Sequence, residues 1–189
     1  IVYVAAIGNP FAANPERGVY RTIDGGDSWQ QVLFVSDKTG AVDLEFAPGN
    51  PDEIYASMWL AERKPWTIIS GGYEGGVYKS SDGGDTWIHL QDGLPNGLRG
   101  KSNLAVSSGD PDRVYVLMEA PGESGGVYRS DDRGTSWYQV SDYQPIRNRP
   151  FYYNNLVAHP TNPDILWGMA EGYSRSNDGG RTWGSGGRT

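Results

Sequence analysis

The chain has no cysteine and only two histidines, His89 and His159, among its 189 residues. The first absence excludes disulfide scaffolds, thiolate metal sites and cysteine nucleophiles. The second excludes a three-histidine metal centre, and neither a metal nor a cofactor is expected. No HExxH, GxSxG, GxGxxG or P-loop pattern occurs. Apolar runs are short and interrupted by Gly, Pro or Asn, so nothing approaches the ~20 apolar residues of a membrane-spanning helix. Positive charge is outweighed: 16 basic residues face 23 acidic ones, for a net charge of −7. Such a chain lacks the electrostatic footprint of a nucleic-acid binder. The basic residues are mostly arginine, which favours planar, bidentate and stacking contacts over a diffuse positive surface.

What is present is aromatic. Seven Trp and twelve Tyr give the chain enough large apolar area to build a core. Glycine and proline supply 27 and 12 residues, about a fifth of the chain, too few for a low-complexity polymer. The start, Ile1-Val2-Tyr3-Val4, has no initiator methionine, basic stretch or small-residue cleavage site. It reads as the interior of a longer sequence.

Two blocks repeat and alternate. The first recurs four times: Thr22-Ile23-Asp24-Gly25-Gly26-Asp27-Ser28-Trp29, Ser80 to Trp87, Ser130 to Trp137 and Ser176 to Trp183, each after a Gly-Val-Tyr or Gly-Tyr-Ser start. The second is a turn around Asn50-Pro51-Asp52, Asp110-Pro111-Asp112 and Asn162-Pro163-Asp164, followed by an apolar run. Glycine supplies positive φ, and Asn, Asp and Pro initiate turns, so both blocks suit hairpins. Each repeat therefore reads as four short antiparallel strands, for example Val42 to Phe46, Ile54 to Trp59, Gly76 to Ser80 and Thr86 to Leu90. Four strands per repeat of roughly 45–60 residues is the pattern of a β-propeller blade.

The motif Ser/Thr-x-Asp-x-Gly-x-Ser/Thr-Trp resembles the Asp box, or BNR repeat. Over essentially the whole chain the sequence is similar to the sortilin-type, xyloglucanase-like and photosystem II assembly factor propellers. The resemblance implies an all-β arc with blades at about 1–36, 37–92, 98–142 and 151–189, the first and last partial. It also implies an exported, periplasmic or lumenal location. The arc is expected to be part of a larger propeller, or to close by association with further copies.

Within the repeated motif, Asp24, Asp82, Asp132 and Asp178 are expected to bond backbone amides of their own turns. Trp29, Trp87, Trp137 and Trp183 are expected to pack between blades. Function is expected at the opposite end, on loops of variable length. The segment from Ala61 to Gly75 carries Arg63, Trp66 and Tyr73. The segment from Asp142 to Tyr153 carries Arg147, Arg149, Tyr152 and Tyr153. These seven residues are the candidate binding set; the competing expectation is that the aromatics are core and the arginines are paired on the rim. Asp43, Asn103 and Asn155 each stand eight residues before a turn proline and are polar positions on an inner strand, where they are expected to form a polar ring around a central channel or to be satisfied by local hydrogen bonds. Glu119 and Glu171 each stand eight after it.

Two functions compete. A non-catalytic scaffold for a protein partner needs only the aromatic and arginine loops. A glycoside hydrolase, or a glycan-binding propeller, needs two converging carboxylates at about 5–9.5 Å. Glu119, Glu171 and Asp43 are the candidates for that pair. If the two glutamates are bonded elsewhere, hydrolysis loses support within this chain.

Overall fold

A computed structural model describes residues 1–185 of the chain. Sixteen strands form four antiparallel sheets. The first sheet is β1 (Val2–Ala6), β2 (Gly18–Thr22) and β3 (Gln30–Leu33). The second is β4 (Thr39–Ala47), β5 (Asn50–Lys64), β7 (Gly76–Ser80) and β8 (Ile88–Leu90), with β6 (Thr67–Ser70) paired to the far end of β5. The third is β9 (Ser102–Ser107), β10 (Asp110–Met118), β11 (Gly126–Ser130) and β12 (Tyr138–Ser141). The fourth is β13 (Asn155–Ala158), β14 (Leu166–Met169), β15 (Tyr173–Ser176) and a two-residue β16 (Gly184–Ser185). Each sheet is a meander in chain order, and the inner strands β4, β9 and β13 lie beside one another in succession.

The core lies between sheets, not within them. Ala47, Tyr55, Val77, Leu104, Val116 and Trp137 fill the space between the second and third sheets. Tyr115, Leu117, Val127, Ile146, Leu156 and Leu166 fill that between the third and fourth. Val19, Leu33, Ala41, Ala56 and Met58 join the first and second. The second strands of the two middle sheets are covered on both faces, so β10 is buried without alternation over Val114 to Met118.

The repeated aspartate turns are alike in all four copies. Asp24 accepts from the Thr22 hydroxyl at 2.7 Å, the Ser28 amide at 3.0 Å and the Ser28 hydroxyl at 2.5 Å. Asp82, Asp132 and Asp178 do the same with Ser80 and Thr86, Ser130 and Ser136, and Ser176 and Thr182. Bonds from Thr86 and Ser80 hold the Asp82 carboxyl at about 2, below its ordinary value. Gly134 has φ +83, and a Cβ there would stand 2.9 Å from Leu90 of the neighbouring sheet, so this position needs glycine.

The four tryptophans do not share one environment. Trp137 is 4% exposed against the preceding sheet, and Trp87 and Trp183 are half-buried in the same place. Trp29 belongs to the first sheet and is 45% exposed. The expected packing between blades therefore requires a sheet before each tryptophan, and among the described residues none packs there against Trp29.

The segment 61–75 is not a plain loop, which corrects the sequence-based reading. β5 continues through Lys64, turns at Pro65-Trp66 and returns as β6 in register Ala61 with Ser70 through Lys64 with Thr67. Ile68 and Ile69 are β-branched and favour this extended hairpin.

Truncating Trp137 to alanine is expected to cost about 3–5 kcal/mol, the range for a large buried aromatic. Trp29→Ala should cost less, about 2 kcal/mol, since 45% of it stays exposed to water. Urea unfolding of both variants against the parent checks the contrast.

Candidate functional site

Meander topology sorts the connections onto two ends. The aspartate turns and the β4–β5, β9–β10 and β13–β14 turns lie at one end. The β1–β2, β5–β7, β10–β11 and β14–β15 loops and the connections between sheets lie at the other. The candidate residues Arg63, Trp66, Tyr73, Arg147, Arg149, Tyr152 and Tyr153 all belong to that second end.

Three separate segments meet there. Arg63, on the β5–β6 hairpin, donates through its backbone amide to the carbonyl of Pro10 at 2.6 Å. Its guanidinium donates to the Tyr152 hydroxyl at 3.0 Å and lies 5.9 Å from the centre of that ring. The first sheet's loop, the second sheet's hairpin and the segment before β13 are thereby joined. Tyr152 lies 4.7 Å from Phe151 and 6.2 Å from Tyr153, ring centre to ring centre. Trp66 at the hairpin tip is 81% exposed and Tyr73 is 70% exposed. Trp66 and Tyr152 are therefore surface groups, against the competing expectation that they fill a core.

The other arginines play different parts. Arg147 donates to the carbonyls of Asp142 at 2.9 Å and Gly122 at 2.7 Å, which fixes the 3-10 turn Gln144–Arg147. Arg149 has φ 49° and pairs with Glu171 at 3.0 Å. Both partners of that pair are well exposed, so it adds little stability.

The carboxylates are engaged. Glu119 accepts from the Ser70 hydroxyl at 2.7 Å and the Lys101 amide at 2.9 Å through one oxygen. Ser70 in turn accepts from the Trp59 indole at 3.0 Å. Glu171 is held by Arg149. Asp43 accepts from the Asn103 side chain at 2.6 Å and the Leu104 amide at 2.7 Å. Asn103 repeats the move by accepting from the Leu156 amide. Asp43 and Asn103 thus bridge successive inner strands, which replaces the expected polar ring around a channel. Asn155, the third member, is exposed on the last sheet.

Three residues of consequence were missed in the sequence. Arg17 is 1% exposed and donates to the carbonyls of Asn9 at 2.8 Å and Ala61 at 3.0 Å, bolting the first loop to β5. Burial lowers its pKa, partly offset by Asp37 and Glu62. Lys101 lies near both Asp43 and Glu119; burial lowers its pKa and their charges oppose that. Glu45 stands two residues from Asp43 on β4, and burial, then the Asp43 charge, push it up to about 7. No motif marks any of the three; only the fold brings their partners near.

Two depressions open beside Glu119. One, of about 180 Å³, is lined by Leu117, Met118, Glu119, Ala120, Arg147, Pro150 and Asn154. The other, of about 190 Å³, is lined by Ser70, Leu98, Gly100, Glu119, Ala120 and Pro121. Each is smaller than the ~300–1,000 Å³ of a pocket that engulfs a small molecule. They suit single side chains or ring-sized groups. Among the described residues no group of three or more His, Cys, Asp or Glu could hold a metal ion.

Sheets of this size, meandering outward and stacked face to face around successive inner strands, define an arc of a β-propeller. No family model matches the chain, and no curated protein matches it. Solved structures do. An ancestral GH74 enzyme aligns at TM-score 0.59 and 17% identity, over 96% of this chain and 23% of that one. The GH74 enzyme of Niastella koreensis aligns at TM-score 0.58 and 20% identity, over 97% of this chain and 27% of that one. YCF48 bound to D1 peptide aligns at TM-score 0.52 and 14% identity, over 78% of this chain and 41% of that one. The chain therefore spans about a quarter of the GH74 enzymes and less than half of YCF48. At these identities the likeness is one of fold.

The raised Glu45 pKa has a defined sign. Its folded-state value lies above the ordinary 4.5, so the folded state prefers the neutral carboxyl. The resulting stabilisation is complete below about 4.5 and is lost as pH rises through about 7. Glu45→Gln is expected to raise unfolding free energy by about 1–2 kcal/mol at pH 8, allowing for solvent screening, and to change it little at pH 4. Denaturant unfolding at the two pH values tests this.

Proposed function

We propose that this chain is a non-catalytic β-propeller scaffold that takes a protein partner on the end opposite its aspartate turns. The observation that carries the reading is the Arg63–Tyr152 clasp, which joins the β5–β6 hairpin, with Trp66 exposed at its tip, to the segment that carries Phe151, Tyr152 and Tyr153. Exposed aromatics with arginine are the residues that dominate partner binding, because they bury large area at small entropic cost. The peptide bound by YCF48 supports the same use of a related fold. An extracytoplasmic setting, a completed ring formed with more of its own chain or with further copies, and membership of the Asp-box repeat class belong to this reading.

Glycan binding is the second reading, favoured by the fold likeness to the two GH74 enzymes. Hydrolysis has weaker support within this chain. Glu119 is bonded to Ser70 and Lys101, and Glu171 is paired with Arg149. Any missing acid would belong to a larger protein.

Two assays separate the readings. A phage-displayed library of random peptides is panned on the chain, and xyloglucan and cello-oligosaccharides are incubated with it and checked for new reducing ends. The expected result is enriched peptides whose capture falls about tenfold or more in Trp66→Ala or Tyr152→Ala, roughly the 1.4 kcal/mol of a modest hot spot. New reducing ends that vanish in Glu119→Gln, with no peptide enriched, would overturn it.

A further inference from the structure

We infer that the outer edge of β6 is a strand-addition site, which takes an extended peptide segment of the partner. This inference rests on the scaffold reading and names the mode by which its partner binds.

The backbone geometry leads to it. On β5, the amides of Ala61 and Arg63 donate away from β6, to the carbonyls of Lys38 and Pro10. In an antiparallel pair, residues opposite such positions also turn their backbone groups outward. Their partners are Ser70 and Ile68. The amide and carbonyl of Ile68 and of Ser70 therefore point away from β5, and among the described residues nothing pairs with them.

Edges of this kind are ordinarily protected. A charge, a proline, a bulge or a covering segment keeps other strands from pairing. Thr67-Ile68-Ile69-Ser70 has no charge and no proline, its register with β5 has no bulge, and a covering segment pairs only beyond it, where Gly72 bonds with Arg99. Ile69 is 43% exposed, and Trp66 continues the apolar surface at the tip. A two-stranded hairpin is marginal by itself, so a third strand would also stabilise it.

The side-chain requirement follows from the neighbouring depression. Ser70 points its hydroxyl to Glu119 of the next sheet, so every second residue of an added strand faces the same way. There it meets the 190 Å³ depression, with Leu98, Ala120 and Pro121 on its walls. That space takes a branched side chain such as valine or threonine. The partner segment is thus an extended, uncharged peptide with β-branched residues at alternate positions. Backbone pairing gives affinity and the depression gives selectivity.

The probe is the hexapeptide Ac-Thr-Val-Thr-Val-Thr-Val-NH2, titrated to about 1 mM into the isotope-labelled full chain, the range of a weak strand pairing. Saturable shifts of the Ile68 and Ser70 amide signals are expected. They should be lost when alternate peptide nitrogens are methylated, a control that leaves the protein untouched. Ile68→Pro, which removes one outward amide at an edge where proline is tolerated, should weaken binding about tenfold or more. Absence of shifts at Ile68 and Ser70 would overturn the inference. Were phage-selected peptides still to need Trp66 and Tyr152 but not the Ile68 amide, the scaffold reading would stand and strand addition would fail. A doubled solution mass that Ile68→Pro returns to a monomer would assign the edge to a second copy instead.

Discussion

Everything in this molecule depends on stitching one blade to the next. A four-stranded sheet has two faces and cannot bury either alone, so its stability is that of the stack. The stitches are polar as well as apolar. Tyr3 donates to the carbonyl of Gly83 at 2.6 Å, and Arg21 donates to the same oxygen. One repeat later, Tyr55 and Lys79 donate together to the carbonyl of Arg133. A phenol and a cation of one blade thus clamp a carbonyl in the next blade's aspartate turn. At the other side of each blade, Asp43 and then Asn103 capture the inner-strand amides of Leu104 and Leu156. With Trp87, Trp137 and Trp183 between them, the sheets are fixed at the outer turn, the middle and the inner strand.

That rigidity is what makes the loop end usable. The loops differ in length and sequence, yet three of them meet at Arg63 and Tyr152 because their parent sheets cannot shift. Arg17 extends the same principle by burying a guanidinium to bolt the β1–β2 loop onto β5. Surface aromatics held in this way are pre-organised, which lowers the entropic cost of binding. The aspartate turns need only their own short-range bonds, so function and architecture occupy opposite ends of the strands.

The architecture was written in local chemistry. A Ser/Thr, an Asp two residues on and a second Ser/Thr four beyond the Asp make a turn whose bonds are all within nine residues, so the repeat declares itself. The candidate loops were equally visible, because Arg63, Trp66 and Tyr152 stand in segments with no strand pattern of the blade. The β5–β6 hairpin was less so. Lys64-Pro65-Trp66-Thr67 followed by Ile68-Ile69 carried a turn and a β-branched run, but these lay where the blade pattern calls for a loop. The cross-blade partners were not legible at all. Nothing local tells Lys79 that its acceptor is the carbonyl of Arg133, or places Glu45 where burial raises its pKa. Asp43 and Asn103 could be aligned by their distance from a turn proline, yet the same alignment suggested a channel lining. Only the stacked sheets reveal that their oxygens are spent on the next strand.

Amide hydrogen exchange of the Asn103→Ala variant tests the stitching most directly. The account predicts that the Leu156 amide, which has its acceptor in Asn103, exchanges at least about tenfold faster than in the parent, an opening cost near 1.4 kcal/mol. The Leu104 amide, held by Asp43, should keep its protection. Unchanged exchange at Leu156, or equal loss at both amides, would contradict the claim that each blade is fastened to the next by its own inner-strand side chain.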